Sequence, residues 1–449
     1  MQTAPSHLDA GVPLAPRYAQ IRAQTLALAA GLSESDAQAQ SMPDTSPAKW
    51  HLAHVTWFFE TFLLERFEPR FKPHHPAYRV LFNSYYNGVG EQHPRAQRGL
   101  VTRPSLAEVR AWRAAVDERV VTLLQRLPAV NHAAVAEIVE LGLQHEQQHQ
   151  ELLLTDLLHL LSMNPLTPVY RPQWPLAAVS PLALNWVGFE GGLVDIGHGG
   201  HGGHGGHGGE AFAFDNETPR HRHWLRPYAL ANRLTTHGEW AAFIADGGYR
   251  DPRWWLAAGW DWVRGQRIEA PLYWRRNGTV ADAWRVFTLH GEVPLDPHTP
   301  ITHISFFEAD AYARWSSAQH PGEPPHRLPT EAEWEHAAAG LPAEAVGGGN
   351  FVESQSLHPV PVARGGAGLQ QMFGDVWEWT NSSYLAYPGY RPWAGAVGEY
   401  NGKFMVNQMV LRGGSCATPR DHVRASYRNF FPTDARWQFN GLRLARDEG

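Results

Sequence analysis

The residues with the clearest capacity for chemistry are two histidines in the stretch LGLQHEQQHQELLLTD (141–156). His145 and His149 are four residues apart, so on a helix they project from the same face. Burying imidazoles at such a face is unfavourable unless something pairs with them, and a metal ion does so. The same face also carries apolar residues that indicate a buried seam: Ile138, Leu141 and Leu152.

The alternative interpretation is a pair of core histidines hydrogen-bonded to carboxylates such as Glu146 or Glu151. A metal site needs a third ligand, which is expected from a facing helix. The stretch WHLAHVTWFFE (50–60) offers His51 and His54, three residues apart. Each shares a helix face with aromatic residues, so periodicity alone does not choose between them.

Three neutral imidazoles without a protein carboxylate suit Fe, Zn or Cu better than Mg or Ca. An octahedral Fe(II) ion would keep three positions open, enough for a substrate atom and O₂. A tetrahedral Zn ion would keep one, for water. The sequence pattern does not separate these cases.

Four long helical patterns surround these histidines and predict a four-helix bundle with a buried seam. Ser46-Pro47 offers an N-cap and a first-turn proline before the second pattern, and Ser105 with Glu108 forms a capping box before the third. The patterns cover residues 17–32, 48–67, 106–127 and 131–162.

After residue 162 the amino-acid composition of the chain changes. Prolines crowd residues 163–184, which predicts an extended linker between a helical domain (1–162) and a loop-rich α+β domain (185–449). The second domain holds one low-complexity insert, HGGHGGHGGHGG, which begins at His198. Its four imidazoles are able to bind Ni(II) or Zn(II), but the favoured interpretation is a glycine-rich surface loop without a catalytic role.

Composition narrows the class of protein. A chain of 449 residues is too long to fold around one ordinary hydrophobic core, so two or three domains are expected. The net charge of -6 disfavours a nucleic-acid partner. The N-terminus lacks a signal-peptide pattern, and Asp156 and His159 interrupt the longest apolar stretch, so we expect a cytoplasmic protein without a membrane span. Cys416 is the sole cysteine, which rules out an intrachain disulfide.

Several motifs together identify a family. WHLAH, WFFE and HEQQHQE resemble a DinB-type metal-binding four-helix bundle. The second half resembles the formylglycine-generating-enzyme or sulfatase-modifying fold, a relative of C-type lectins. The fusion resembles the EgtB-type sulfoxide synthases of ergothioneine biosynthesis, including their selenoneine synthase offshoot. The motifs of the second half are RLPTEAEWEHAAAG (327–340), GDVWEWTNS (374–382), LRGGSCAT (411–418) and NGLRLARD (440–447).

This resemblance implies a mononuclear Fe(II) enzyme that uses O₂ to join a sulfur or selenium donor to C2 of hercynine, the trimethylated betaine of histidine. The implied donor is a thiol or a selenosugar. The family motif maps the three iron ligands to His54, His145 and His149. It also maps a glutamine that contacts the substrate imidazole to Gln148.

The resemblance also directs attention to aromatic residues. A trimethylammonium group binds aromatic faces by cation–π attraction, and Phe430, Phe431 and Trp437 in NFFPTDARWQF are the candidates. Their alternative role is packing in the core of the second domain. Tyr85 and Tyr86 are the candidate proton donors near the iron, and their alternative role is also packing.

Three other functions are alternatives to this one. Formylglycine-generating activity needs a pair of active-site cysteines, which one cysteine does not provide. A DinB-type thiol transferase or hydrolase would hold Zn at the same histidines and would not need O₂. A lectin-like binding protein would use the metal only structurally.

Overall fold

Two compact units make up the chain in the computed structural model. Of the described residues, the first comprises those up to Met163 together with two later segments, 212–218 and Tyr390–Lys403. The second comprises the remainder. The structure describes residues 13–126, 128–172, 179, 182–199, 212–276, 284–362 and 368–448.

The first unit is helical, and its long helices lie where the sequence patterns predict them. Helix α3 continues without a break through a π-helical turn, Phe59–Leu64, into α4. Ser105 and Glu108 form the predicted capping box at the start of α6. The helices are α1 (Leu14–Ala29), α2 (Glu34–Gln38), α3 (Ala48–Phe58), α4 (Glu65–Phe67), α5 (Tyr78–Leu81), α6 (Leu106–Arg126) and α7 (His132–Ser162).

The predicted cap at Ser46 is wrong. Pro47 is the residue before α3, and no side chain caps that end of the helix. The backbone N–H of Ser46 instead donates to Asp156, and its hydroxyl accepts from Arg98. Both contacts use groups that lie near each other only in the folded chain.

The second unit contains short strands joined by long loops. Its strands are β1 (Trp186–Phe189), β2 (Gly192–Ile196), β3 (His221–Leu225), β4 (Tyr228–Ala231), β5 (Trp274–Arg276), β6 (Trp284–Thr288), β7 (Gly291–Pro294), β8 (His326–Arg327), β9 (Trp377–Ser383), β10 (Gln408–Arg412), β11 (Asn429–Pro432), β12 (Asn440–Gly441) and β13 (Ala445–Asp447). They form sheets in the orders β1-β4-β13-β8, β11-β10-β9-β12, β5-β6-β7 and β2-β3.

Among the described residues the second unit also holds five α-helices, and a short sixth helix from this half of the sequence belongs to the first unit. The five are α8 (His237–Ala245), α9 (Ala257–Gln266), α10 (Phe306–Gln319), α11 (Glu331–Ala339) and α12 (Ala343–Gly347). The sixth, α13 (Glu399–Gly402), falls within the segment from Tyr390 to Lys403.

The four family motifs of the second half are neighbours in space. Strand β9 pairs with β10 and β12, and β13 pairs with β8. Arg443 donates to both oxygens of Glu378 at 3.0 Å, and both side chains are fully buried. A Cβ on Gly413 would lie 2.8 Å from the Met372 carbonyl oxygen, so the turn after β10 requires glycine there. The motifs therefore form one structural core.

The predicted fold class, a helical bundle followed by a sulfatase-modifying-type α+β fold, is confirmed. Part of the predicted linker, including Pro175 and Pro181, and His201, His204 and His207 of the repeat lie outside the described residues. Within the described chain no helix is long and apolar enough to cross a membrane. Cys416 is buried and unbridged.

Candidate metal centre

Three imidazoles from two facing helices come together inside the bundle. His54 lies on α3, and His145 and His149 lie one turn apart on α7. Each offers one ring nitrogen to a common point, and the three atoms lie within 4.8 Å of one another. Among the described residues these three form the one such group of potential ligands. The arrangement has the size of a mononuclear metal site.

Burial keeps these rings neutral. It lowers the pKa of His145 to about 4, and it lowers the pKa values of His54 and His149 well below the ordinary value. The neighbouring imidazoles add to the shift for His54 and His149, because positive charges repel. Neutral rings keep the lone pairs that a metal ion requires.

The orientation of His54 is set by the backbone. Its Nδ1–H donates to the carbonyl oxygen of Phe82 at 2.6 Å, which leaves Nε2 to face the other rings. The ring also stacks between the indoles of Trp50 and Trp57, at 4.6 and 5.5 Å between centroids. A fixed tautomer and a fixed ring plane are typical of a metal-bound histidine.

His51 contacts the centre through His149. Its Nε2–H donates to Oδ2 of Asp156 at 3.0 Å, because a carboxylate accepts. The other nitrogen of a neutral His51 then accepts from Nδ1–H of His149 at 2.8 Å. This chain of hydrogen bonds would leave Nε2 of His149 to bind a metal ion, in the manner of a carboxylate–histidine–metal relay. His51 is therefore placed as a partner of a candidate ligand.

The alternative of carboxylate-bonded core histidines does not fit Glu146. That side chain is fully buried and accepts from Arg22, Arg113 and Thr25. Burial by itself raises its pKa, but the two guanidinium groups lower it to about 2. Its charge is paired with the two arginines.

His145 adds a further observation that fits metal binding. Nδ1 of His145 is buried and has no hydrogen-bond partner among the described residues. An unpaired buried imidazole is costly, so the ring needs another means of being held. A metal ion at the common point provides it, and three imidazole donors suit Fe, Zn or Cu.

The predicted proton donors sit in a loop that we call the tyrosine loop, residues 82–90. Tyr86 is buried, and its ring lies 5.1 Å from Phe62 and 5.6 Å from Trp57. Burial raises its pKa, which keeps the phenol protonated. Tyr85 is half-buried and accepts a hydrogen bond from Arg95 at 2.8 Å. Both tyrosines thus belong to the same unit as the three histidines.

Gln148 precedes His149 on α7 and is half-buried. Phe430, Phe431 and Trp437 belong to the second unit and are each partly exposed. Phe430 stacks on Tyr384 at 4.0 Å, and the rings of Phe431 and Trp437 meet edge-on at 6.0 Å. Their part in substrate binding, like that of Gln148, stays a prediction.

Two residues of this neighbourhood were not assigned from the sequence. Asp156 lies seven residues after His149, two turns along the same helix. This spacing places both residues on one helix face and is the sequence feature that could have identified Asp156. Arg98 is buried over the Trp50 ring at 3.4 Å and donates to the hydroxyls of Ser46 and Ser84. Burial lowers its pKa to about 9. No local pattern around Arg98 predicts its burial.

Comparison with known proteins matches both halves. Residues 17–153 match the DinB superfamily, and residues 187–448 match the sulfatase-modifying factor enzyme 1-like domain. A hercynine oxygenase of Mycolicibacterium thermoresistibile is 33% identical over 97% of this chain and 94% of its own length. One from Mycobacterium tuberculosis is 33% identical over 97% and 98%. Ergothioneine biosynthesis protein 1 of Schizosaccharomyces pombe is 26% identical over 53% of this chain and 28% of its own.

Proposed function

We propose that this chain, which belongs to the family of the hercynine oxygenases, uses Fe(II) and O₂ to join a sulfur or selenium donor to C2 of the hercynine imidazole. One observation carries the proposal. Three buried, converging imidazoles occur in a chain that aligns with hercynine oxygenases over 97% of its length. The candidate donors are cysteine, γ-glutamylcysteine and a selenosugar.

The proposed reaction balances without a further reductant. Hercynine, a thiol and O₂ give a sulfoxide and water. The C2–H and S–H bonds break, and a C–S bond and an S–O bond form. One oxygen atom ends on sulfur, and the other leaves as water with the two hydrogens. A selenol donor follows the same balance with selenium in place of sulfur.

The bundle's role is to hold the metal in a defined geometry. Fe(II) bound by His54, His145 and His149 would supply redox chemistry with O₂ and open positions for substrate. His51 and Asp156 keep His149 in the tautomer that presents Nε2. The burial of all three rings excludes bulk water, which would compete with the donor and the oxidant.

Substrate binding is assigned to two kinds of group. The amide of Gln148 is suited to a hydrogen bond with the hercynine imidazole, since an amide both donates and accepts. The trimethylammonium group donates no conventional hydrogen bond, so an aromatic face is its natural partner. We assign that face to Phe430, Phe431 and Trp437, which keep exposed ring surface.

A tyrosine of the tyrosine loop is the proposed proton donor. Tyr86 keeps its proton because burial raises its pKa, and its ring lies in the aromatic cluster beside the histidines. Tyr85 has a more open setting and a hydrogen bond from Arg95. Replacing each with phenylalanine separates the two, because only the donor's loss slows protonation.

The second candidate function is a Zn-dependent thiol transferase or hydrolase, which the match of residues 17–153 to the DinB superfamily favours. The same three imidazoles suit Zn. Oxygen is the discriminating reagent, because neither transfer nor hydrolysis consumes it.

The test is to load the protein with Fe(II) and supply hercynine, O₂ and each donor in turn. Mass spectrometry should detect the sulfoxide or its selenium counterpart, with O₂ consumed in proportion. The controls are an anaerobic reaction, a Zn-loaded sample and His145→Ala. Turnover of a thiol substrate by the Zn form without O₂ would replace the proposal with the second candidate.

A further inference from the structure

A segment from the second half of the sequence belongs to the bundle's unit. Residues 390–403 lie within the region that matches the sulfatase-modifying family, yet they are part of the first compact unit. Asp215, also of that unit, is 1% exposed and accepts from the side-chain amide of Asn401 at 2.6 Å and from the backbone of Trp393 at 3.2 Å. These bonds give the segment a fixed base.

From this base Glu399 reaches the tyrosine loop. Its Oε2 accepts the backbone N–H of Asn87 at 3.0 Å, and its Oε1 accepts that of Gly88 at 2.8 Å. A Cβ on Gly88 would lie 2.7 Å from Oε1, so a side chain at this position would displace the carboxylate from this contact. One carboxylate thus holds two consecutive backbone donors directly after Tyr85 and Tyr86.

Lys403 strengthens the same contact. Its ammonium group donates to the carbonyl oxygen of Tyr85 and lies 3.7 Å from Glu399. The ring of Tyr400 lies 6.0 Å from the ring of Tyr85. The segment therefore contacts the tyrosine loop through backbone hydrogen bonds, an ion pair and an aromatic pair.

The other end of the loop is tied to the metal centre. The Phe82 carbonyl accepts from His54, and the side chain of Asn83 bonds to both backbone groups of Tyr86, at 3.1 and 3.3 Å. The two tyrosines lie between this anchor and Glu399. Losing Glu399 removes the two hydrogen bonds to the backbone of Asn87 and Gly88 and leaves the anchor at His54 in place.

We propose that Glu399 is a positioning residue that fixes the tyrosine loop, and with it the proton-donating phenol, relative to the three histidines. The part of this inference that concerns catalysis rests on the proposed function. The local sequence of neither segment predicts this contact, because 311 positions separate Glu399 from Gly88.

The test compares the full-length variants Glu399→Ala and Glu399→Gln with the wild-type protein. Glu399→Ala should keep wild-type iron content, because the histidines and the Phe82 contact remain. Its turnover number should fall roughly ten- to a hundredfold, as for a misplaced reacting group, with a smaller change in KM for hercynine. The turnover number of Glu399→Gln should lie between those of the wild type and Glu399→Ala, because the amide oxygen accepts one N–H and the amide nitrogen accepts none.

Hydrogen exchange measures the contact without the reaction. The amides of Asn87 and Gly88 should exchange faster in Glu399→Ala than in the wild type. The matched control is Glu118→Ala, which removes an exposed carboxylate from α6 of the same unit and should change neither exchange nor turnover. If Glu399→Ala does not fold, Glu399→Gln is measured alone and should lose protection at one amide.

Wild-type exchange at Asn87 and Gly88 in both variants would overturn the anchor. Faster exchange with wild-type turnover would overturn the positioning role. Absence of hercynine turnover in the wild type would instead count against the proposed function, and the exchange result would still decide whether Glu399 holds the loop.

Discussion

Buried histidines occur in both units, and among the described residues only those of the bundle bring three ring nitrogens together. His237 and His303 of the second unit are as buried as His54 and His145. Burial likewise lowers their pKa values, to about 4 for His237 and about 3 for His303. By burial and charge the two sets are alike.

The difference lies in where the ring nitrogens point. His237 donates to the carbonyl of Asp296 at 3.1 Å, and His303 bonds to the backbone at Trp437 and Gln438. In the described part of the second unit no three potential ligand atoms come together, whereas His54, His145 and His149 do so within 4.8 Å. A lowered histidine pKa therefore indicates only that the ring is buried. The meeting of three ring nitrogens is what indicates a candidate metal site.

The largest expected effect separates the two sets directly. His54→Ala, His145→Ala and His149→Ala should each lose bound iron and reduce turnover roughly a thousandfold or more, since a catalytic metal contributes several kcal/mol. His303→Asn should keep its iron. Metal analysis and turnover with hercynine check this. Wild-type iron in His54→Ala would move the third ligand to His51.

The partners of the ligands should matter less than the ligands. Asp156→Asn removes the charge that fixes His51, and iron affinity should fall about ten- to a hundredfold. His51→Ala should keep most of its iron and activity when iron is saturating. Competition with a chelator measures the affinity. An unchanged affinity in Asp156→Asn would show that the relay does not orient His149.

The buried histidines of the second unit should make the stability of the protein depend on pH. A lowered pKa means that the unfolded chain binds more protons than the folded one as pH falls below about 6.5. The free energy of unfolding should therefore decrease from about pH 6.5 towards pH 4, by up to about 1.4 kcal/mol per pH unit for each such group.

His303→Asn should flatten this dependence, and asparagine tolerates the positive φ of 61° at this position. The control is His223→Asn, an exposed histidine on β3 of the same unit. Urea unfolding at pH 7 and pH 5 provides the measurement. The same slope in His303→Asn as in the wild type would remove His303 from the explanation.

Substrate affinity tests what the second unit contributes. Trp437→Ala should weaken hercynine binding by roughly 1–2 kcal/mol, on the order of tenfold, through loss of a cation–π partner. Iron content should not change. Titration of hercynine into the iron-loaded variant measures this, with the exposed Trp224→Ala as control. Equal affinity in both variants would return Trp437 to a packing role.

The histidine repeat is a third case, in which pairs of glycines separate the histidines along the sequence. Deleting residues 198–209 should leave turnover with hercynine nearly unchanged, because a glycine-tethered segment contributes little to a preorganised site. All of these residues except His198 and Gly199 lie outside the described ones. A large fall in activity at full iron loading would contradict this.

Local spacing was enough for part of the site and for the long helices of the bundle. The four-residue interval of His145 and His149 placed both on one face of α7, and the capping pair Ser105 and Glu108 marked the start of α6. These features depend on residues within one or two turns, where the period of the helix decides the geometry. The fold class of the second half was predicted from the resemblance of its motifs to a known family.

Only the tertiary structure decided which distant groups meet. His51 and His54 are equivalent by periodicity, and the packing of α3 against α7 turns His54 towards the other two rings and His51 towards Asp156. Glu146 is one residue from a candidate ligand, yet Arg22 and Arg113 determine its role. Glu399 reaches its loop across more than three hundred residues. The physical reason is that spacing along a helix sets the direction of a side chain, whereas its partner is set by how separate segments pack.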